Sequence, residues 1–336
     1  AIDNNVQIIN DIDLFVETNP KAKIIGITGT NGKSTTAALL FHILKFNKIK
    51  SVICGNFGVP ACSINDPGEK GVIILELSSY QLDGAKNLSL DMATIINITP
   101  DHLDYHKNFD RYIKCKLKII NFLRNNGIFI FDKNNKLLDK IIDTSNYNSL
   151  NFIRIHKKES TDFINDNEHL KGTHNAINAS IAISIAKKLN INDNKIESAI
   201  KRFKGLSHRM EQLYVSKELE IINDSKSTNG ESTAAALKSF NNIFWIVGGK
   251  PKNDGIGEAK KCLDKVVEIF IIGDSTNYFS EEILKFNKNI PLNECVTLEK
   301  ATKLALKKSK TSKLKKCVIL LSLSLIHISE PTRRYS

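Results

Sequence analysis

Short apolar runs and amphipathic stretches alternate along the first two thirds of the chain. Continuous β-branched and aliphatic runs, each followed by turn signals, predict four strands: 23–28, 51–54, 72–77 and 93–98. Apolar residues at helical spacing predict helices from the turn after residue 32 to Phe46, at 105–124 and at 173–190. Apolar strands that alternate with helices are typical of a parallel sheet covered on both faces. The pattern therefore predicts an α/β fold.

The same alternation begins again after Gly205. It predicts four further strands: 219–223, 243–248, 268–272 and 317–321. It also predicts three further helices: 231–239, 256–264 and 298–309. We therefore predict a first domain over residues 21–205 and a smaller, Rossmann-like α/β domain over 206–321. Residues 1–20, with a strand at 6–9 and a short helix near 12–16, precede both.

Residues 322–336 differ in composition from the rest of the chain. They contain neither lysine nor asparagine, yet they include Arg333 and Arg334 in a chain that uses lysine almost everywhere else. They also follow the apolar run 318–321 directly, where a turn and more of the fold would be expected. Our hypothesis is a non-native tail from residue 322. A natural polar tail is the alternative, since biased termini are common.

Composition places the chain among globular proteins. Hydrophobic residues make up 41% and charged residues 25% of the 336 positions, which excludes a disordered or collagen-like chain. No apolar run approaches the roughly 20 residues that span a bilayer, so we expect a soluble, cytoplasmic protein with no membrane insertion. The six cysteines show no CxxC spacing, which argues against a zinc site or a disulfide framework.

The formal net charge of +12 raises the question of a nucleic-acid partner. The excess is mostly lysine spread over the whole length, and the 7% of aromatic residues do not interleave with basic runs as a stacking platform requires. An anionic small substrate fits the charge equally well. Composition does not decide between these two kinds of partner, and our prediction of no nucleic-acid partner rests on the motifs described below.

A glycine-rich turn between the first strand and the next helix carries the clearest chemistry. Seven residues there are predicted to bind nucleotide phosphates: Gly29, Thr30, Asn31, Gly32, Lys33, Ser34 and Thr35. Glycines let backbone amides approach an anion, and the helix N-terminus attracts negative charge. Lys33 is expected to reach the β- and γ-phosphates, and the Ser34 or Thr35 hydroxyl to coordinate Mg²⁺. The standard motif has a glycine where this chain has Ile27, so the match is imperfect.

Three further sites follow strand ends or open a helix. Glu76 closes an apolar strand, the usual place for an active-site residue in a doubly wound sheet, and its carboxylate suits Mg²⁺. His102 follows the next strand end, although Mg²⁺ generally prefers oxygen ligands. Asn175 and Asn178 lie near a helix start, where asparagine caps the helix or contacts a nucleotide.

Taken in order, these motifs resemble those of the Mur ligase and folylpolyglutamate synthetase superfamily. The resemblance spans most of residues 1–321 and rests on these strings: TGTNGKSTT (28–36), GNFG (55–58), ELSSYQL (76–82), NITPDHLD (97–104), Lys116, HNAIN (174–178) and GLSHR (205–209). The string NDSKSTN (223–229) resembles the D-glutamate-adding members in particular.

The resemblance implies a central P-loop ATPase domain, a C-terminal Rossmann-like domain and an ATP-dependent ligase. Its reaction would add D-glutamate to UDP-N-acetylmuramoyl-L-alanine through an acyl phosphate, in cytoplasmic peptidoglycan precursor synthesis. Residues 1–20 would then be the remnant of an N-terminal uridine-nucleotide domain, in a chain truncated at both ends. We expect a monomer.

The resemblance also assigns roles to individual residues. The catalytic set would be Lys33, Glu76, His102 and Lys116. Two Mg²⁺ ions would be held by Ser34, Glu76, His102 and Lys116, the lysine being carbamylated. ATP would be bound, besides the glycine-rich turn, by Asn175, Asn178, Arg209 and Asp224. The muramoyl substrate would be bound by Asn56, Ser78 and His102, and D-glutamate by Lys226 and Thr228.

Three alternatives remain open at this stage. Another amino-acid-adding enzyme, similar to folylpolyglutamate synthetase, would use L- rather than D-glutamate. A nucleic-acid-associated P-loop ATPase would show hydrolysis stimulated by nucleic acid and a steep salt dependence of binding. A nucleotide-binding fragment would bind Mg-ATP without ligase activity.

Overall fold

The computed structural model describes residues 9–144, 149–170, 172–249 and 255–325. The chain divides into two compact units, Ala1–Lys204 and Gly205–Ser336. Of the strand predicted at 6–9, all but Ile9 lies outside the described residues, as does the C-terminal stretch 326–336. Among the described residues, no helix is long and apolar enough to cross a membrane.

A six-stranded parallel sheet forms the centre of the first unit. Its strands are β1 (Lys23–Thr28), β2 (Ser51–Gly55), β3 (Val72–Glu76), β4 (Leu90–Ile95), β5 (Leu123–Asp132) and β6 (Asn151–Ile155), in the spatial order β2-β3-β1-β4-β5-β6. All residues of β3 and all of β1 beyond Lys23 are buried, as expected for parallel strands covered on both faces. The predicted α/β class is confirmed.

Nine α-helices accompany this sheet within the described residues. They are α1 (Asp11–Glu17), α2 (Lys33–Phe46), α3 (Ser79–Gly84), α4 (Leu103–His106), α5 (Phe109–Asn121), α6 (Lys136–Thr144), α7 (Thr161–Ile164), α8 (Thr173–Lys188) and α9 (Asp193–Ile200). Helix α2 packs against α8 and α9, and α3 packs against α5. Ile12 and Phe15 of α1 are fully buried in the same core cluster as residues of β1 and β3, so α1 is an integral part of the first unit.

The helix predicted at 105–124 is two helices. Lys107 has a left-handed φ of +69°, and Asn108 caps α5 by accepting a hydrogen bond from the Arg111 amide. The second helix ends at Asn121 because Leu123 already pairs with Leu90 as the first residue of β5. Strand β4 also begins and ends earlier than the prediction of 93–98, at Leu90–Ile95.

The second unit contains another six-stranded sheet, with one antiparallel edge strand. Its strands are β7 (Glu211–Val215), β8 (Leu219–Asp224), β9 (Ile243–Gly249), β10 (Val266–Ile272), β11 (Leu292–Val296) and β12 (Cys317–Leu325), in the order β11-β10-β9-β12-β8-β7. Only β7 runs antiparallel to its neighbour in the part of the chain that is described. The helices are α10 (Gly230–Lys238), α11 (Thr276–Leu284) and α12 (Leu298–Thr311). The predicted helix at 256–264 is a 3-10 helix, Gly257–Lys265.

Strand β12 extends into the segment whose composition suggested a foreign tail. Ser322 pairs with Asp224, and Leu325 pairs with Gly249. The Ser322 side chain is fully buried and donates a hydrogen bond to Asp224 Oδ2 at 3.2 Å. Strand β12 therefore continues to Leu325, beyond the predicted strand end at residue 321, and the hypothesis of a non-native tail from residue 322 stays a prediction.

Candidate active site

A short loop links β1 to α2 and brings backbone amides to the N-terminus of a 14-residue helix. We call residues 29–32 the phosphate loop. Gly32 caps the helix with a left-handed φ of +86°, and a Cβ added there would lie 2.3 Å from Asn178 Oδ1. Only glycine fits both the backbone conformation and the close approach of Asn178. The loop thus has the strand-before, helix-after arrangement that binds phosphate.

Lys33, the first residue of α2, folds back over the phosphate loop. Its Nζ donates hydrogen bonds to the carbonyl oxygens of Gly29 and Thr30, each at 2.9 Å. Ser34 is buried and Thr35 half-buried in the same first turn. The lysine charge and the two hydroxyl side chains therefore lie together at the end of the loop.

A second amine reaches the same loop from α5. Lys116 is 1% exposed, and its Nζ donates to the Gly29 carbonyl at 2.8 Å and lies 3.4 Å from Thr28 Oγ1. The same Nζ lies 4.8 Å from the centre of the Tyr112 ring. Burial, and secondarily the charge of Lys33, hold the pKa of Lys116 well below its usual value. The site therefore disfavours the charged form of this amine.

The neighbouring lysines of α5 do not share this environment. Lys114 is exposed, and Lys118 is half-buried and donates to the Asp83 carbonyl at 2.7 Å. Of the three lysines at 114, 116 and 118, Lys116 is the one that the helix turns toward the phosphate loop.

Glu76 lies at the carboxyl end of β3 and is 1% exposed. Its Oε1 accepts a hydrogen bond from Asn56 Nδ2 at 2.8 Å, whereas Oε2 is buried without a hydrogen-bond partner. A Cβ on Gly55 would lie 2.4 Å from the Glu76 carbonyl oxygen, so a glycine is needed for Asn56 to reach Glu76. A buried carboxylate oxygen without a donor is a fitting ligand for a hard cation.

No group of three or more His, Cys, Asp and Glu side chains that could hold a metal occurs among the described residues. A cation at Glu76 would therefore need other ligand types, such as a hydroxyl or a modified lysine. Ser34 and Lys116, both at the phosphate loop, offer these two types.

His102 follows β4 in a left-handed backbone conformation, with φ of +53°. Its amide donates to Asp101 Oδ1 at 2.9 Å, and its ring Nδ1 lies 3.0 Å from the Tyr80 hydroxyl. The side chain is 38% exposed. Tyr80 therefore holds His102 in an accessible orientation.

Ser78 has a structural role that the sequence did not indicate. Its Oγ accepts a hydrogen bond from the Gln81 amide at 3.2 Å, which makes it the N-cap of α3. Gln81 Oε1 in turn accepts from the Ser78 amide at 3.1 Å. This capping box fixes the segment directly after Glu76.

Asn175 and Asn178 lie in the first turns of α8 and are almost completely buried. Asn178 Nδ2 donates to Asn175 Oδ1 at 3.3 Å, and its Oδ1 lies against Gly32. Neither residue is the N-cap of α8, a position that Gly172 occupies. The helix thus brings Asn178 against the phosphate loop, with Asn175 hydrogen-bonded to it.

Sequence reasoning gave no role to Asn97, although it lies inside one of the quoted motifs. Asn97 Oδ1 accepts hydrogen bonds from the amides of Thr30 at 3.1 Å and Asn31 at 2.8 Å. Its Nδ2 donates to the Asn31 carbonyl at 3.0 Å. Its position just after β4 could have indicated this role. Strand β4 pairs with β1, the strand that precedes the loop, so residues that follow the two strands lie close together.

The second unit carries its candidate residues around the end of β8. Asp224 is 5% exposed and accepts hydrogen bonds from the Met210 amide at 3.1 Å and from Ser227 Oγ. Burial raises the pKa of Asp224 to about 6, against the lowering effects of these hydrogen bonds and of the Arg209 charge.

Lys226 and Thr228 occupy the turn between β8 and α10, and both are exposed. The Lys226 amide donates to the His208 carbonyl at 3.1 Å, and Asn229 caps α10 by accepting from the Ser232 amide. The backbone of this turn is therefore fixed while the two side chains remain accessible.

Comparison with known proteins identifies related sequences. The family model of the Mur ligase middle domain matches residues 27–191. The UDP-N-acetylmuramoylalanine–D-glutamate ligase of Zymomonas mobilis is 35% identical over 312 residues, which are 91% of this chain and 70% of that protein. The ligase of the same name from Rickettsia prowazekii is 35% identical over 294 residues, covering 82% of this chain and 66% of that protein.

Solved structures share the fold. MurF from Acinetobacter baumannii superimposes with a TM-score of 0.70 at 18% identity, over 94% of this chain and 76% of that one. The MurF ligase from Thermotoga maritima, solved in complex with ADP, gives a TM-score of 0.68 at 16% identity, over 95% and 82% of the two chains.

Proposed function

Because the chain belongs to the Mur ligase family, we propose that it is an ATP-dependent ligase that joins D-glutamate to UDP-N-acetylmuramoyl-L-alanine. The two relatives described above, each 35% identical, bear the name of this reaction. The chain spans about two thirds of their length, 70% and 66%. The proposed setting is cytoplasmic synthesis of peptidoglycan precursors, and a monomeric state stays a prediction.

One observation carries the nucleotide half of the proposal. The amines of Lys33 and Lys116 both donate to the Gly29 carbonyl, at 2.9 and 2.8 Å. The charged Lys33 side chain at this short loop, ahead of a helix N-terminus, provides the positive potential that a polyphosphate needs.

The proposed reaction begins with phosphoryl transfer. On ATP binding, Lys33 Nζ exchanges its two carbonyl partners for β- and γ-phosphate oxygens, where it neutralises charge that develops as the γ-phosphoryl group moves. A carboxylate oxygen of the terminal L-alanine attacks the γ-phosphorus, and the bond to ADP breaks. The product is an acyl phosphate, which is activated for attack by an amine.

The second step forms the amide. The neutral amine of D-glutamate attacks the acyl carbon and gives up a proton, and inorganic phosphate leaves with the former carboxylate oxygen. Lys226 is proposed to pair with a D-glutamate carboxylate and Thr228 to orient it. Asn56, Ser78 and His102 are proposed to contact the muramoyl substrate, and Asn175, Asn178, Arg209 and Asp224 to contact ATP.

The residues around Glu76 fit the Mg²⁺ ions that the family resemblance implies. The buried Glu76 Oε2 has no hydrogen-bond partner, and the Lys116 amine has a lowered pKa. A neutral Lys116 Nζ can form a bond to the carbon of CO₂ and lose a proton to solvent, which converts the amine into an anionic carbamate with two oxygen ligands. Ser34, Glu76, His102 and carbamylated Lys116 would then hold the ions, which supply charge neutralisation at phosphate oxygens.

The test is phosphate release from ATP by this 336-residue chain with UDP-N-acetylmuramoyl-L-alanine present. D-glutamate, L-glutamate and no amino acid are compared at equal concentration. We expect release that depends on D-glutamate. Equal use of L-glutamate would favour a folylpolyglutamate synthetase-like enzyme. Mg-ATP binding without D-glutamate-dependent release would favour a nucleotide-binding protein. Release stimulated by nucleic acid would contradict the proposal altogether.

A further inference from the structure

We propose that Asn97 is a positioning residue that holds the phosphate loop in the shape required for nucleotide binding. This inference rests on the proposed binding of ATP at that loop. Asn97 lies outside the phosphate loop and outside α2, and no ligand-binding role is proposed for it above. Its amide side chain nevertheless meets the loop backbone at three points.

The geometry is that of a clamp on two successive peptide groups. One oxygen, Asn97 Oδ1, accepts from the amides of Thr30 and Asn31, and the nitrogen Nδ2 returns a hydrogen bond to the Asn31 carbonyl. The Thr30 amide also donates to the backbone oxygen of Asn97 at 3.0 Å. The backbone amide and the backbone carbonyl of Asn31 are thus both hydrogen-bonded to the Asn97 side chain. The orientation of the peptides on either side of Asn31 is fixed as a result.

A neighbouring residue adds a second attachment. Thr30 Oγ1 donates to the Thr99 carbonyl and accepts from the Thr99 amide, both at 3.0 Å, and it lies 3.0 Å from the Tyr112 hydroxyl. Residues 97–99 therefore hold the first half of the loop by side-chain and backbone contacts. Because this attachment does not involve the Asn97 side chain, we expect the loop to loosen rather than to unfold when that side chain is changed.

The hydrogen bonds to Asn97 also distinguish two kinds of backbone amide in the loop, those bound to Asn97 and those available to a ligand. The amides of Thr30 and Asn31 are committed to Asn97, so they are not the ones that we expect to bind phosphate. Their role is to fix the path of the chain into Gly32 and Lys33. Without Asn97, part of the binding free energy would be spent on ordering the loop.

Asn97→Leu tests this inference, because leucine has a similar size and removes all three side-chain hydrogen bonds. The matched control is Asn47→Ala, which removes a hydrogen bond from Asn47 Nδ2 to the Ile43 carbonyl at the opposite end of α2. Calorimetry measures the Kd for Mg-ATP with the whole chain. We expect Asn97→Leu to raise this Kd about tenfold, as the loss of about one hydrogen bond of net binding energy predicts, and Asn47→Ala to leave it unchanged.

Amide hydrogen exchange provides a readout that global stability does not move. In the nucleotide-free protein, Asn97→Leu should speed exchange at Thr30 and Asn31 and leave residues 43–47 unchanged. Asn97→Ser, with a smaller polar side chain, serves the same two measurements if the leucine variant does not fold. Unchanged Kd and unchanged exchange at Thr30 and Asn31 in a folded variant would overturn the inference. Failure of the unmodified protein to bind Mg-ATP would instead overturn the proposed function.

Discussion

The phosphate loop of the first unit and the 223–229 turn of the second unit are built in opposite ways. Around the loop, the side chains proposed to act in catalysis, Lys33, Lys116 and Glu76, are hydrogen-bonded to other groups of the protein, and Lys116 and Glu76 are buried. In the turn, the backbone and Asp224 are fixed, whereas the Lys226 and Thr228 side chains are exposed. Both regions follow the carboxyl end of a parallel strand, where α/β proteins bind ligands.

This difference fits the proposed roles of the two regions, ATP binding at the loop and amino-acid binding at the turn. A site for phosphoryl transfer needs charged and hydrogen-bonding groups that are already oriented before the ligand arrives. A small amino acid can be bound by flexible surface side chains that become ordered on contact, at some entropic cost. Variants of the loop should therefore have large effects on ATP chemistry, and variants of the turn should have smaller effects confined to the amino acid.

The largest effect is expected for Lys33→Met. It removes the ammonium that is proposed to neutralise the transferred phosphoryl group, so ATP-dependent phosphate release should fall by about 10³-fold. Lys45→Met, in the last turn of the same helix, is the matched control and should retain activity. A loss of less than tenfold would show that the loop is not the phosphate site.

Asp224→Asn tests the burial of the Asp224 carboxyl group through its effect on the free energy of unfolding. The pKa of Asp224 is raised from 3.8 to about 6, so its stabilising contribution is complete below about pH 4 and is lost as the pH rises through 6. The difference between these two pKa values corresponds to about 3 kcal/mol of unfolding free energy. Relative to the unmodified protein, the variant should therefore gain about 3 kcal/mol of unfolding free energy between pH 3.5 and pH 7.5.

Urea unfolding at the two pH values measures this gain. Asp264→Asn in the same unit is the control, because the Asp264 carboxyl group is exposed. A difference between Asp224→Asn and the unmodified protein that does not change with pH would show that Asp224 is not held in a desolvated site.

Lys116→Met tests whether Lys116 acts in the chemistry proposed for the phosphate loop. If a carbamylated Lys116 holds a metal ion, activity should fall about 100-fold, because metal-mediated charge neutralisation is worth several kcal/mol. The exposed Lys114→Met is the control on the same helix. The unmodified enzyme should also lose activity in CO₂-free buffer and regain it with bicarbonate. Activity independent of bicarbonate would contradict carbamylation.

Lys226→Ala should have the smallest effect. Loss of one exposed charge partner should lower kcat/KM for D-glutamate about tenfold, since a charge-assisted hydrogen bond at an exposed site is worth about 1.5 kcal/mol, the low end of the usual range. The Kd for Mg-ATP should not change. Lys217→Ala, an exposed lysine on the β7–β8 turn, is the control. A loss of ATP binding in the Lys226 variant would contradict the proposal that the turn binds the amino acid and the loop binds ATP.

Local patterns predicted the parts of the fold that depend on local physics. Strand β1 has the predicted bounds 23–28, and α2 follows the glycine-rich turn as expected, because apolar runs and turn chemistry are encoded within a few residues. Strand β5 could not be predicted because its first residue, Leu123, is followed by the polar residues Arg124, Asn125 and Asn126, where the register with β4 shifts. Tertiary pairing overrides the sequence pattern at that point.

The candidate site shows the same limit. The phosphate loop could be predicted because its residues are contiguous, whereas the contributions of Asn97 and of the Asn56–Glu76 hydrogen bond depend on parallel strands that bring distant segments together. Lys116 could be singled out among three lysines only through resemblance, since burial on one side of α5 is not visible in the pattern Lys-Cys-Lys-Leu-Lys.

Isotope transfer tests the proposed reaction most directly. UDP-N-acetylmuramoyl-L-alanine labelled with ¹⁸O in its terminal carboxylate is incubated with Mg-ATP, D-glutamate and the enzyme, and the inorganic phosphate is analysed by mass spectrometry. The acyl-phosphate route predicts one ¹⁸O atom in each phosphate released, and release that stops when D-glutamate is omitted. Phosphate that carries no label would mean that water attacks ATP, which would contradict the proposed ligase.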